Sequence, residues 1–60
     1  MTRAELVKKM HDTADMMSST ADALDFYGAS AEAAQHAEEL ANAADIVGEW
    51  ADELEKEEKQ

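Results

Sequence analysis

The sequence predicts an all-α fold: an antiparallel hairpin of two long helices that dimerises into a four-helix bundle. Three observations favour this fold. The 60-residue chain has no proline and only two glycines, Gly28 and Gly48. Alanine and glutamate are its most frequent residues, and both of them, with leucine and methionine, have high helix propensity. Apolar or small residues recur at alternating intervals of four and three on both sides of Gly28, which is the heptad pattern of packed helices.

The first helix is predicted over about residues 3–27. Thr2 and Glu5 form the T-x-x-E pattern of a capping box, in which each residue satisfies a free amide of the other at a helix start. A second row, Val7, Ala14 and Ala21, widens the apolar stripe on one side. The main heptad seam comprises Leu6, Met10, Thr13, Met17, Thr20, Leu24 and Tyr27.

A turn is predicted at about residues 28–30. Gly28 is the expected left-handed residue that ends the first helix. Ser30 can cap the next helix, and Glu32 lies in its first turn, near the positive end of the helix dipole. Because the connection is so short, the two helices must pack as antiparallel neighbours.

The second helix is predicted over about residues 31–56, and the charged tail from Glu55 to Gln60 is expected to fray. Its seam comprises Ala33, His36, Leu40, Ala43, Val47, Trp50 and Leu54, and further small-residue rows comprise Ala37, Ala44 and Ala51, and Ala34, Ala41 and Gly48. This stripe is wider than one partner helix requires. We therefore expect a homodimer, which also suits a short chain without cysteines. The predicted core and dimer interface comprise Leu6, Met17, Leu24, Leu40, Val47, Trp50 and Leu54.

The charge distribution predicts an acidic outer face. Fifteen acidic residues stand against five basic ones, the formal net charge is −10, and no lysine or arginine lies between Met10 and Glu55. Carboxylates one helical turn apart, about 5.4 Å, resemble the charge repeat of nucleic acid, about 3.4 Å per strand. The pattern is typical of a decoy, or DNA mimic, for a basic and nucleic-acid-binding host protein, although a coat serving solubility accounts for it equally well. The predicted partner-binding residues are Asp12, Asp15, Asp22, Asp25, Glu38, Asp45, Glu49 and Asp52. Phe26 and Tyr27 at the hairpin tip are further candidates for partner contact.

No catalytic or metal signature is predicted. The sequence lacks a nucleophile paired with a base, a glycine-rich phosphate loop and the Glu-x-x-His motif of di-iron bundles. His36 lies on the seam and is interpreted as a packed core residue. The expectation is a non-enzymatic protein without cofactor or metal. Nothing resembles a signal peptide or membrane span, so a cytoplasmic protein is expected.

The two heptad seams, Leu6 to Tyr27 and Ala33 to Leu54, joined by a short turn, resemble the Rop family of RNA-binding dimeric hairpins. That resemblance implies an RNA regulator, which here would use Arg3, Lys8 and Lys9. The short, acidic, helical chain with the start MTRAELVKKM is also similar to small accessory proteins of temperate phages. This second resemblance implies a protein that redirects a host factor in the host cytoplasm. A structural oligomerisation module or antitoxin-like partner remains a further alternative.

Overall fold

The chain folds as two antiparallel helices joined by a tight turn. The computed structural model describes residues 1–59, with side chains through residue 57. Helix α1 spans Arg3–Tyr27 and helix α2 spans Ala31–Lys59, so that α2 continues beyond its predicted end at residue 56. The two helices pack along their length into a rod of 46 × 15 × 12 Å. The predicted all-α hairpin is confirmed.

Side chains cap the start of each helix. The Glu5 amide donates to Thr2 Oγ1 at 3.1 Å, and the Thr2 amide donates to Glu5 Oε1 at 3.3 Å, which completes the predicted capping box. At the start of α2, the Ala33 amide donates to Ser30 Oγ at 3.0 Å. Both caps satisfy amides that would otherwise lack a partner within the helix.

The turn departs from the prediction at Gly28. This residue has right-handed helical angles, φ −68° and ψ −29°, and the left-handed conformation belongs to Ala29, with φ 54°. Glycine is required at position 28 for space instead, because a Cβ there would overlap the Ala33 side chain and the Leu24 carbonyl oxygen. The expectation of a left-handed glycine was therefore wrong. An alanine in the left-handed region costs about 1–2 kcal/mol.

Small residues form the contact between the helices. Through residue 57, the buried side chains are one heptad row on each helix: Val7, Ala14 and Ala21 on α1, and Ala37, Ala44 and Ala51 on α2. These rows were predicted to flank the seam, but they are its centre. Because five of the six side chains are alanines, the contact is close and the buried apolar volume is small.

Several predicted core residues lie nearer the solvent than expected. Leu6 is 38% exposed and Trp50 is 54% exposed, so neither belongs to the core of the hairpin. His36 is also exposed, and its Nδ1 lies 2.8 Å from Glu39 Oε1 on the same helix. The half-buried members of the predicted core are Met17, Leu24, Leu40, Val47 and Leu54. These residues are more exposed than expected because each helix is rotated about its axis so that its alanine row faces the other helix. The larger residues then lie to one side of the contact.

The isolated hairpin exposes a large area for its size. Its accessible surface is 4595 Å², whereas a compact monomer of this mass exposes roughly 3,900 Å². Among the described residues, no large side chain is fully buried. Neither described helix has a stretch apolar enough to cross a membrane.

Candidate partner-binding surfaces

The two long sides of the hairpin differ in chemistry. In an α-helix, a residue three positions after another lies about 60° to one side of it, and a residue four positions after it lies about 40° to the other. The residues three positions after the buried ones are Met10, Met17 and Leu24 on α1 and Leu40, Val47 and Leu54 on α2. The residues four positions after the buried ones are His11, Ser18 and Asp25 on α1 and Ala41, Gly48 and Glu55 on α2. One side is therefore apolar and the other polar.

The polar side is a shallow groove with carboxylates from both helices along its edges, here called the acidic groove. Near the turn it forms a cavity of about 390 Å³. The lining of this cavity is Ala21, Asp22, Asp25, Ala34, Ala37, Glu38 and Ala41. Toward the open end of the hairpin it forms a second cavity of about 420 Å³. The lining of the second cavity is His11, Ala14, Asp15, Ser18, Ala44, Asp45, Gly48, Glu49 and Asp52.

The opposite surface, here called the apolar side, comprises Leu6, Met10, Met17, Leu24, Leu40, Val47, Trp50 and Leu54. All of these side chains are half-buried or exposed in the single hairpin. The predicted core residues therefore lie together on one surface, where they can contact a second molecule.

The groove floor is made of small residues. Alanines from both helices form it, together with Gly48. A Cβ added at Gly48 would meet no atom within 4 Å, so this glycine faces open space. Close packing within the hairpin therefore does not explain this glycine. A floor without long side chains leaves room for a bulky occupant.

The predicted acidic residues separate into two sets. Asp12 lies outside the groove and forms an ion pair with Lys8, with 3.1 Å between Nζ and Oδ2. The remaining predicted residues line the two cavities: Asp15, Asp22, Asp25, Glu38, Asp45, Glu49 and Asp52. The lining of the two cavities includes no lysine or arginine. Carboxylates from separate helices thus share one surface, and the one histidine in the lining of the two cavities, His11, lies 3.4 Å from Asp52.

Two of the basic residues near the chain ends, Arg3 and Lys8, take part in ion pairs. Arg3 Nη1 lies 3.3 Å from Glu57 Oε2, which joins the start of α1 to the end of α2. Lys8 is paired with Asp12, as noted above. All four side chains are substantially exposed, so each pair contributes little stability.

Phe26 and Tyr27 protrude at the tip of the hairpin. Each is 79% exposed, and their rings meet edge to face with centroids 4.8 Å apart. The side chains of the two helices do not cover them, so both remain accessible to a partner.

One group of metal-binding residue types was missed by the sequence analysis. His11, Asp52 and Glu55 each offer a ligand atom, and these atoms lie within 4.8 Å of one another. Spacings within one helix place His36 beside Glu39, but they do not place His11 beside Asp52. The antiparallel register instead brings His11 of α1 against Asp52 of α2. Only that register, which the turn sets, could have indicated the group.

Comparisons of the chain with protein-family models, with curated proteins and with solved structures gave no significant match. The function is therefore inferred from the two surfaces.

Proposed function

We propose that the chain is a non-enzymatic, homodimeric protein-binding module. In the proposed dimer, the apolar sides of two hairpins pack together into a four-helix bundle. The acidic grooves then lie on the outside and bind a basic host protein. The observation that carries this proposal is that seven carboxylates line one side of the hairpin, whereas the large residues of the apolar side lie on the other.

The surface area supports the dimer. The hairpin exposes about 700 Å² more than a compact monomer of its mass, and a standard interface buries about 800 Å² per partner. A second copy is a suitable occupant of the apolar side, because two such surfaces related by a twofold axis complement each other. Leu40 and Val47, which are half-buried in one hairpin, would become core residues of the bundle.

Charge supports a basic partner for the groove. Bringing carboxylates of two helices together costs stability through like-charge repulsion, and no lysine or arginine in the lining offsets it. A cationic partner would remove that repulsion on binding. Attraction between opposite charges would also accelerate encounter, and the rate would fall as salt is added.

The spacing of the carboxylates favours a helical segment as the basic element of that partner. Asp15 and Asp22 are seven residues apart on α1, and Glu38, Asp45 and Asp52 repeat at the same interval on α2. Seven residues of helix advance about 10.5 Å. A partner helix with lysine or arginine at seven-residue intervals would match both edges, and the alanine floor would accept its central side chains. A basic helix of this kind is common among nucleic-acid-binding proteins.

RNA binding is less well supported. Of the three residues it would use, Arg3 and Lys8 are in ion pairs with carboxylates. RNA would have to displace those carboxylates and approach a chain of formal net charge −10.

The test uses a synthetic amphipathic helix with lysine at seven-residue intervals, and a scrambled peptide of the same composition. Calorimetric titration at low and high salt should give one binding event per hairpin for the patterned peptide. Neutralising three groove carboxylates, Asp22→Asn, Glu38→Gln and Asp45→Asn, should weaken binding at least tenfold. The matched control neutralises three carboxylates outside the two cavities, Asp12→Asn, Glu32→Gln and Glu39→Gln, with the same change in net charge.

Equal losses in the groove variant and the control would mean that net charge alone attracts the peptide, and the groove would not be a binding site. Affinity unchanged between low and high salt would favour an apolar contact instead, as expected of an oligomerisation or antitoxin-like module. A low-salt gel shift with RNA that depends on Arg3, Lys8 and Lys9 would favour the Rop-like alternative.

A further inference from the structure

We propose that His11, Asp52 and Glu55 form a binding site for a divalent transition-metal cation of the zinc class. The three side chains come from both helices, and their ligand atoms lie within 4.8 Å of one another. His11 Nε2 already lies 3.4 Å from Asp52 Oδ1. This inference goes beyond the proposed function and does not depend on the dimer or the basic partner.

The donor set indicates the type of cation. One imidazole nitrogen and two carboxylate oxygens suit Zn²⁺, Co²⁺ or Ni²⁺, whereas Ca²⁺ and Mg²⁺ prefer oxygen ligands alone. Three protein ligands leave a coordination position for water, as in many zinc sites. Bonds of about 2.0–2.2 Å in a tetrahedral site place the ligand atoms about 3.3–3.6 Å apart. The 3.4 Å between His11 Nε2 and Asp52 Oδ1 already meets this spacing, and any ligand pair as far apart as 4.8 Å would have to move closer as the metal binds.

The local charge also favours a cation. Asp15, Asp45 and Glu49 line the same cavity as His11 and Asp52. A dipositive ion there would reduce the repulsion among these carboxylates. The groove thus supplies a negative potential around the imidazole, in addition to the two carboxylate ligands.

The position of the site predicts an effect on stability. The turn at residues 28–30 joins one end of the hairpin, while exposed ion pairs such as Arg3–Glu57 join the other. A metal held by His11 and Asp52 would connect α1 to α2 toward this open end. The unfolded chain separates these ligands widely, so binding would favour the folded state. A chain without cysteine has few other ways to connect its ends covalently or by coordination.

The experiment compares thermal unfolding of the full chain with and without ZnCl₂, followed by circular dichroism. We expect zinc to raise the melting temperature of the wild type by several degrees, and His11→Ala to abolish the shift. His36→Ala is the matched control, because His36 is also paired with a carboxylate, Glu39, but on a single helix. This control should keep the full shift. Glu55→Gln, which preserves size and removes charge, should reduce it.

Direct evidence comes from NMR of the histidine rings during zinc titration. The His11 ring signals should shift and saturate at one zinc per hairpin, and they should shift at lower zinc concentration than those of His36. Lowering the pH should weaken binding, since protons compete with the metal for the imidazole. Equal responses of both histidines, or a thermal shift that survives His11→Ala, would overturn the proposal and indicate diffuse binding to carboxylates. Because the basic peptide test contains no metal, failure of one proposal leaves the other unaffected.

Discussion

The acidic groove and the apolar side are built by the same two helices, yet they relate differently to stability. On the apolar side, Met17, Leu24, Leu40 and Val47 gain by leaving water, so this surface is stabilised when it is covered. In the groove, the carboxylates repel one another across small residues, so a cation or a basic side chain is needed to relieve that repulsion. One narrow core of alanines thus supports two surfaces with opposite requirements: one is stabilised by exclusion of water and the other by positive charge.

The largest effect is expected on the apolar side. Val47→Asp places a charge in the proposed dimer interface, where an unpaired carboxylate is poorly solvated. We expect dimer affinity to fall at least a hundredfold, about 3 kcal/mol. Sedimentation equilibrium measures the loss, and fluorescence of the single tryptophan, Trp50, reports whether its surroundings become wetter.

The neighbouring residue offers a matched control for that change. Ile46 is 44% exposed and lies outside the set that forms the apolar side. Ile46→Asp makes the same chemical change one residue away and should leave the dimer intact. A wild-type hairpin that is folded and monomeric at micromolar concentration would contradict the dimer itself.

A second large effect is expected in the alanine rows, which support both surfaces. Ala51 is fully buried, so Ala51→Leu must force the helices apart. Overpacking of this kind costs about 1–3 kcal/mol. Chemical denaturation measures the free energy of unfolding. A neutral or stabilising result would mean that the helices are not packed closely at this row.

The turn predicts opposite effects at two adjacent positions. Gly28→Ala should destabilise the hairpin by about 1–3 kcal/mol, since the new Cβ would overlap Ala33 and the Leu24 carbonyl oxygen. Ala29→Gly should stabilise it by about 1 kcal/mol, because glycine adopts a positive φ without steric cost. Thermal melts of the two variants should move in opposite directions. If both substitutions moved the melting temperature in the same direction, Ala29 would not be the residue with the left-handed conformation.

A stabilising substitution is expected at Gly48, in the floor of the acidic groove. Its added Cβ would meet no atom, and alanine is favoured over glycine within a helix by about 1 kcal/mol. Gly48→Ala should therefore raise the free energy of unfolding by nearly that amount. Destabilisation on chemical denaturation would instead show that something in solution packs against Gly48.

The smallest effect is expected from single charges. Asp45→Asn in the groove should stabilise the hairpin by a few tenths of a kcal/mol at low salt, since it removes like-charge repulsion. Asp12→Asn should have the opposite sign, because it removes the pair with Lys8. Added salt should diminish both differences. If chemical denaturation showed that both substitutions change the free energy of unfolding in the same direction, net charge would determine the change, not the position of the carboxylate.

Local signals could be interpreted from the sequence alone. Thr2 with Glu5 predicts the capped start of α1, and Ser30 predicts the start of α2, because capping depends only on residues three positions apart. The absence of proline and the two heptad patterns predict the helices and their antiparallel contact. The pattern also shows which residues are acidic and how they are spaced along each helix.

The sequence did not determine which heptad row lies at the centre of the contact between the helices. The three-dimensional arrangement decided it. Large residues such as Leu40 and Trp50 suggested the core, but the helices pack on Ala44 and Ala51, which allow a closer approach. Rotation of each helix by a few tens of degrees then decides which side chains face solvent, and periodicity alone does not resolve so small an angle. The encounter of His11 with Asp52, and the sharing of one groove by Asp22 and Glu38, depend on the same rotation and on the register set by the turn. By itself the sequence determined the helices, their caps and their order, which are local properties. Tertiary structure alone decided which residues meet, because contacts between helices depend on an angle and a register that no local pattern contains.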